Sequence, residues 1–172
     1  MNDAWWQLGA WLQKRFHSHL AYWPSVLTLG VISIVPSFVL FWLAQAIVRL
    51  FGSDPAAFGR VLTFPNWWVA VVMLVFGGPL IETVLLALGL RVLGLLGLSI
   101  SAMSCISALG WGLLHAITTP LQFFSVAWSF YVYSRGYLAW RPKGQQQAIG
   151  AAWIPHVMYN ALAFGPALLL ST

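Results

Sequence analysis

The sequence runs to 172 residues, 60% of them hydrophobic and only 6% charged, where a soluble globular domain carries about 25% charged residues. That excludes water as the main solvent. The net charge of +5 comes from eight Lys and Arg against three acids, and the basic residues stand near the ends of apolar runs and form no stripe, which argues against nucleic acid as a partner and for anchoring in a lipid bilayer.

Residues 1–23 do not read as a secretory signal, because Asp3 and an alternation of Trp, Gln, Lys, Arg and His replace the apolar core of such a peptide. Trp5, Leu8, Leu12 and Phe16 recur at helical spacing, with Gln7, Lys14 and Arg15 elsewhere around the turn. This predicts an amphipathic helix lying in the headgroup region. Residues 24–172 form the expected transmembrane domain. About 20 apolar residues cross ~30 Å of hydrocarbon, and Pro24 to Phe51 supplies them despite Pro36 and the mildly polar Ser33, Ser37 and Gln45. Gly52 to Asn66 holds Asp54, Pro55, Gly59, Arg60 and Pro65 and predicts a loop.

Trp67 to about Gly94 is the second expected span, with a kink or restart at Gly77, Gly78 and Pro79. Ser99 to about Ile117 is the third; its small residues Ser101, Ala102, Ser104, Ser107, Ala108 and Gly110 predict close approach and burial among its neighbours. Pro120 to about Trp140 and Ala148 to Leu170 follow, separated by the polar stretch Arg141 to Gln147. The expected fold is thus all-α, a polytopic bundle of about five transmembrane spans behind an interfacial helix. With the N-terminus inside, Lys14, Arg15, Arg91, Arg135, Arg141 and Lys143 fall on the cytoplasmic side and Arg49 and Arg60 outside, the distribution of a cytoplasmic N-terminus. Cys105, the single cysteine, excludes an intrachain disulfide.

Glu82, the only glutamate, stands among Pro79, Leu80, Ile81, Val84, Leu85 and Leu86. A carboxylate there costs at least ~2.5 kcal/mol unless it faces protein or water, so an ionisable residue inside a span is read first as functional. The bland reading is a protonated Glu joining two helices by a hydrogen bond. Trp111 and His115 share one helix face, four residues apart; alone, such a histidine equally well donates to a backbone carbonyl in the bundle. His156 and Asn160, also four apart on an otherwise apolar helix, offer donors to one point, as an oxyanion site requires. Interhelical hydrogen bonding at about 0.6 kcal/mol per bond is the alternative.

One Glu, two His and one Asn on three apolar helices make either an acid-base and oxyanion constellation or metal ligands with a base. Here the sequence resembles the CPBP intramembrane proteases, which include the type II CAAX prenyl endopeptidases and bacteriocin-processing or self-immunity proteins. That pattern is Glu-Glu-x-x-x-Arg, then Phe-x-x-x-His, then His-x-x-x-Asn. Glu82-Thr83 stands at the paired glutamates, Trp111-x-x-x-His115 carries another aromatic, and His156-x-x-x-Asn160 matches in full. The resemblance covers residues 69–164, and the run from Gly150 to Asn160 also looks like the last core helix. Thr83 replaces the second glutamate and Ala87 stands where the arginine would be. Arg91, nine residues from Glu82, faces the other way at ~100° per residue and reads as an interfacial snorkel.

The resemblance implies an endopeptidase acting on a membrane-anchored peptide or protein, with Glu82 and His115 activating water and His156 with Asn160 holding the oxyanion. A divalent metal such as zinc on Glu82, His115 and His156 is the alternative to metal-free chemistry. A catalytically inactive immunity or scaffold protein of the same family, and a proton-coupled carrier, are the competing functions. Helix rise at 1.5 Å per residue puts Glu82 (from Arg91) and His156 (from Gln147) ~13 Å deep, but His115 (from Ser99) roughly 24 Å deep. A kink, tilt or late helix start has to recover about 10 Å.

Overall fold

The computed structural model describes residues 22–58 and 64–170. The interfacial helix expected at residues 1–23, with Lys14 and Arg15, and also Arg60, lie outside the described residues or, for Tyr22 and Trp23, already belong to the first long helix. Among the described residues there are no strands, and the chain folds as five main helices: α1 (Tyr22–Leu50), α2 (Trp67–Leu95), α3 (Ile100–Ala116), α4 (Phe123–Trp140) and α5 (Gln145–Leu170). Two of them, α1 and α2 at 29 residues each, are long and apolar enough to cross a membrane.

Local chemistry sets the ends. After α2 the chain turns at Gly97 with φ +72°, a left-handed conformation that glycine adopts without steric cost. Ser99 then caps α3, its Oγ accepting the Ala102 N–H at 3.2 Å. Pro120 opens a short 3-10 turn into α4, where its missing N–H costs nothing. Gly144, with φ +138°, separates α4 from α5.

The Gly77-Gly78-Pro79 trio does not break its helix. Val72–Gly77 winds as a π-helix, with the Gly78 N–H reaching back to the Met73 carbonyl, and α-helix continues from Gly78 to Leu95. Widening by one residue accommodates the proline within one continuous helix, and π-turns of this kind are frequent at functional sites.

The enclosed helix is α4, not α3. From Val132 to Trp140 every residue of α4 is buried, and it packs against α1, α3 and α5. The outer face of α3, by contrast, exposes Ile106, Leu109, Leu113 and Leu114. The small residues of α3 do permit close approach, but along one edge: Ser104, Ala108 and Gly112 are buried at four-residue spacing, and a Cβ on Gly112 would meet Ala127 Cβ and the Phe123 carbonyl at 3.0 Å.

Polar bonds join α1 to α4 inside the bundle. Ser37 Oγ donates to the Ser125 carbonyl at 2.9 Å and lies 2.7 Å from Ser129 Oγ, while Trp128 Nε1 donates to the Ile32 carbonyl at 2.8 Å. Ser37→Ala is expected to destabilise the protein by about 0.6 kcal/mol, and by no more than about 1.7, read as the shift in its unfolding midpoint in mixed micelles. An unchanged midpoint would mean that these serines are passengers.

Candidate active site

Three helices deliver three ionisable side chains to one place. Glu82 comes from α2, less than one turn past Pro79; His115 from the last turn of α3; and His156 from the middle of α5. Glu82 Oε1 lies 3.9 Å from His115 Nε2, and Oε2 lies 3.5 Å from His156 Nε2. His156 is almost fully enclosed, at 5% side-chain exposure, whereas Glu82 and His115 keep 28% and 27%. One side of the cluster is walled off by protein and the other opens outward.

The depth mismatch reckoned from the sequence narrows from about 10 Å to about 6 Å once the helix ends found here replace the expected ones. Counted from Leu95, Ile100 and Gln145, Glu82 lies ~20 Å, His115 ~22 Å and His156 ~16 Å along its helix at 1.5 Å per residue.

Hydrogen bonding assigns the His115 tautomer. Its Nδ1 is 3.0 Å from the Trp111 carbonyl, a group that only accepts, so in the neutral ring Nδ1 carries the hydrogen and Nε2 presents a lone pair toward Glu82. The aromatic partner of that motif is also placed: Trp111 stacks on Phe130 with centroids 4.5 Å apart and planes at 15°. Phe130 in turn meets the His115 ring at 5.9 Å and the His156 ring edge-on at 5.3 Å, and Tyr133 stacks on His156 at 4.8 Å. Phe130 and Tyr133 thus form an aromatic floor on α4 that fixes both imidazoles. Sequence reasoning missed them; their only signal was a pair of aromatics three apart in an apolar span, which core packing also produces.

Asn160 behaves differently from its motif partner. Its Nδ2 donates to the Leu74 carbonyl of α2 at 2.7 Å, so one amide hydrogen is held by the backbone two turns before Glu82. Thr83 and Ala87 are both buried, and Ala87 joins the apolar core cluster. Arg91 is exposed, and its Nη2 donates to Gln145 Oε1 at 2.6 Å, tying α2 to the start of α5.

A groove of about 410 Å³ between α2 and α3, lined by Leu85, Leu86, Gly89, Trp111 and Leu114 among others, includes none of Glu82, His115, His156 or Asn160 in its lining but shares Trp111 with the surroundings of His115. Leu85 and Leu86 lie within about one turn of Glu82, and Leu114 adjoins His115. As for the zinc set, among the described residues no three His, Cys, Asp or Glu side chains are gathered closely enough to hold a metal ion, so no step is derived through one.

Comparison with protein-family models, with curated proteins and with solved structures finds no match for this chain.

Proposed function

We propose that the chain is a multi-pass integral membrane endopeptidase of the CPBP type, its N-terminus cytoplasmic, hydrolysing a peptide bond in a membrane-anchored peptide or protein. The observation that carries this reading is the Glu82 carboxyl flanked by the Nε2 atoms of two histidines from separate helices, at 3.9 and 3.5 Å, inside an apolar bundle. A membrane setting is supported by the outward apolar face of α1, where Leu27, Val31, Val35, Val39 and Trp42 are exposed. It is supported too by the gathering of Arg91, Arg141 and Lys143 near one end of the bundle, the end where Tyr22 of α1 donates to the Gln147 carbonyl.

In this mechanism a water sits about 2.8 Å from both Glu82 Oε1 and His115 Nε2, completing a triangle whose base is the 3.9 Å gap between them. Both atoms accept, so the water directs its two hydrogens at them and a lone pair away, toward the substrate carbonyl. Glu82 takes one proton as the water oxygen bonds to the carbonyl carbon. His156, in the tautomer with hydrogen on Nε2, donates to the oxyanion. Collapse of the tetrahedral intermediate breaks the C–N bond, and the Glu82 proton passes to the leaving amine. The groove beside Leu85 and Leu114 accepts apolar side chains of the substrate.

A retired scaffold or immunity protein is the second reading. It is favoured by the burial of Thr83 and Ala87 as core residues, which leaves Glu82 without the charged neighbours of the resembled motif. The two separate on incubating purified protein in liposomes with a library of membrane-anchored reporter peptides and mapping products by mass spectrometry. Endopeptidase action yields a paired N- and C-terminal product from at least one reporter. Intact reporters throughout, with a protein shown to be folded, would leave the scaffold reading standing.

A further inference from the structure

The π-turn of α2 leaves one carbonyl without a backbone partner, and α5 supplies the missing donor. In an α-helix the Leu74 carbonyl would accept from the Gly78 N–H, but that group bonds Met73 instead. In a π-turn it would accept from residue 79, which is proline and has no N–H. Asn160 Nδ2 stands 2.7 Å from that oxygen. Two turns earlier on α5, Trp153 Nε1 donates to the Phe76 carbonyl at 3.4 Å, and between the two His156 reaches Glu82. Helix α5 therefore holds α2 at Leu74 and Phe76, about two turns before Glu82, through residues that flank His156 on α5.

We infer that Asn160 is a positioning residue: its amide replaces the N–H that Pro79 lacks, locks the π-turn, and so sets the rotation at which α2 presents Glu82 to His156. The physical ground is that a π-turn adds one residue without advancing the helical repeat, rotating everything beyond it by about 100°. If the turn reverted to α-geometry, Glu82 would swing away from both histidines. In α-geometry Pro79 would orphan the Val75 carbonyl instead, so either winding leaves one acceptor unpaired in an apolar setting; the Asn160 bond satisfies the one the π-turn leaves and so favours that winding.

The role of Asn160 at the helix stands by itself, whereas its effect on turnover rests on the endopeptidase reading. The decisive comparison is a cycle of wild type, Asn160→Ala, Pro79→Ala and the double variant, each purified in detergent. Asn160→Ala is expected to lower the unfolding midpoint by about 5 °C. Pro79→Ala supplies a backbone N–H in the chain itself, so the double variant should recover most of that loss, a coupling that independent sites do not show. Additive midpoints would overturn the inference, whatever the cleavage assay shows. For cleaved reporters, Asn160→Ala should lower kcat by about 100-fold with KM little changed, and the double variant should return to within about 5-fold of Pro79→Ala. A double variant with restored midpoint but kcat as low as Asn160→Ala would place Asn160 on the substrate instead and overturn the positioning role.

Discussion

On the proposed endopeptidase reading, Glu82→Gln is expected to lower reporter cleavage by about 100- to 10,000-fold while the protein stays folded. Glutamine keeps the size of the side chain and a carbonyl oxygen for hydrogen bonding, but it takes up no proton at neutral pH, so the water between residue 82 and His115 loses its base. A positioned general base contributes about 10²–10⁴ in rate, and the chain has no second glutamate to substitute. Removing an ionisable group from an apolar span does not weaken insertion, so the unfolding midpoint of Glu82→Gln should equal or exceed that of wild type. The two readouts together separate chemistry from folding: retained cleavage in the folded variant would end the case for Glu82 as base. Loss of cleavage with a collapsed midpoint would instead assign Glu82 to structure.

Gly136→Val should have the largest effect on folding. Gly136 lies at the crossing of α4 with α1 and α5, where an added Cβ would stand 2.8 Å from the Ala151 carbonyl oxygen and 2.9 Å from Leu29 Cδ1. The leucine can rotate aside. The carbonyl belongs to the backbone of α5 and cannot, so any side chain forces the two helices apart. Overpacking of this kind costs about 1–3 kcal/mol, and valine, with two further methyl groups, belongs at or above the top of that range. Gly89→Ala is the matched control, because nothing lies within 4 Å of a Cβ there, and alanine favours helix by up to about 1 kcal/mol. Unfolding of both variants in mixed micelles should give a large loss for Gly136→Val and none for Gly89→Ala. Equal midpoints would mean that α4 and α5 do not pack as closely as described.

Much of the helical plan was legible in the sequence, because apolar runs bounded by Pro, Gly and polar residues leave few alternatives. The turns at Gly97 and Gly144 and the cap at Ser99 lie where such residues end helices. What failed was inference about helix surroundings. The small residues of the third apolar run suggested an enclosed helix, yet of those only Ser104 and Ala108 are buried and Gly110 is exposed, and α4 takes the centre with Ser125, Ser129 and Gly136. One-dimensional composition reports that helices can approach, not which of them is surrounded.

The candidate site divides in the same way. Glu82, His115 and His156 were found by residue type alone, since an ionisable side chain in an apolar segment stands out against its neighbours. Phe130 and Tyr133 were not, because aromatic residues in such a segment are unremarkable until a histidine is seen lying on them. The partner of Asn160 was equally hidden: a proline removes a backbone donor, but which carbonyl is orphaned depends on whether the helix is wound as α or π. The sequence by itself determined an apolar, helical chain with its one glutamate and two of its four histidines on separate apolar runs, because hydropathy and turn residues act locally. Only the tertiary structure decided that these three meet within 4 Å, that α4 is the enclosed helix, and that Asn160 completes α2. Those outcomes depend on helix rotation and crossing, which are set by packing between segments far apart in the chain.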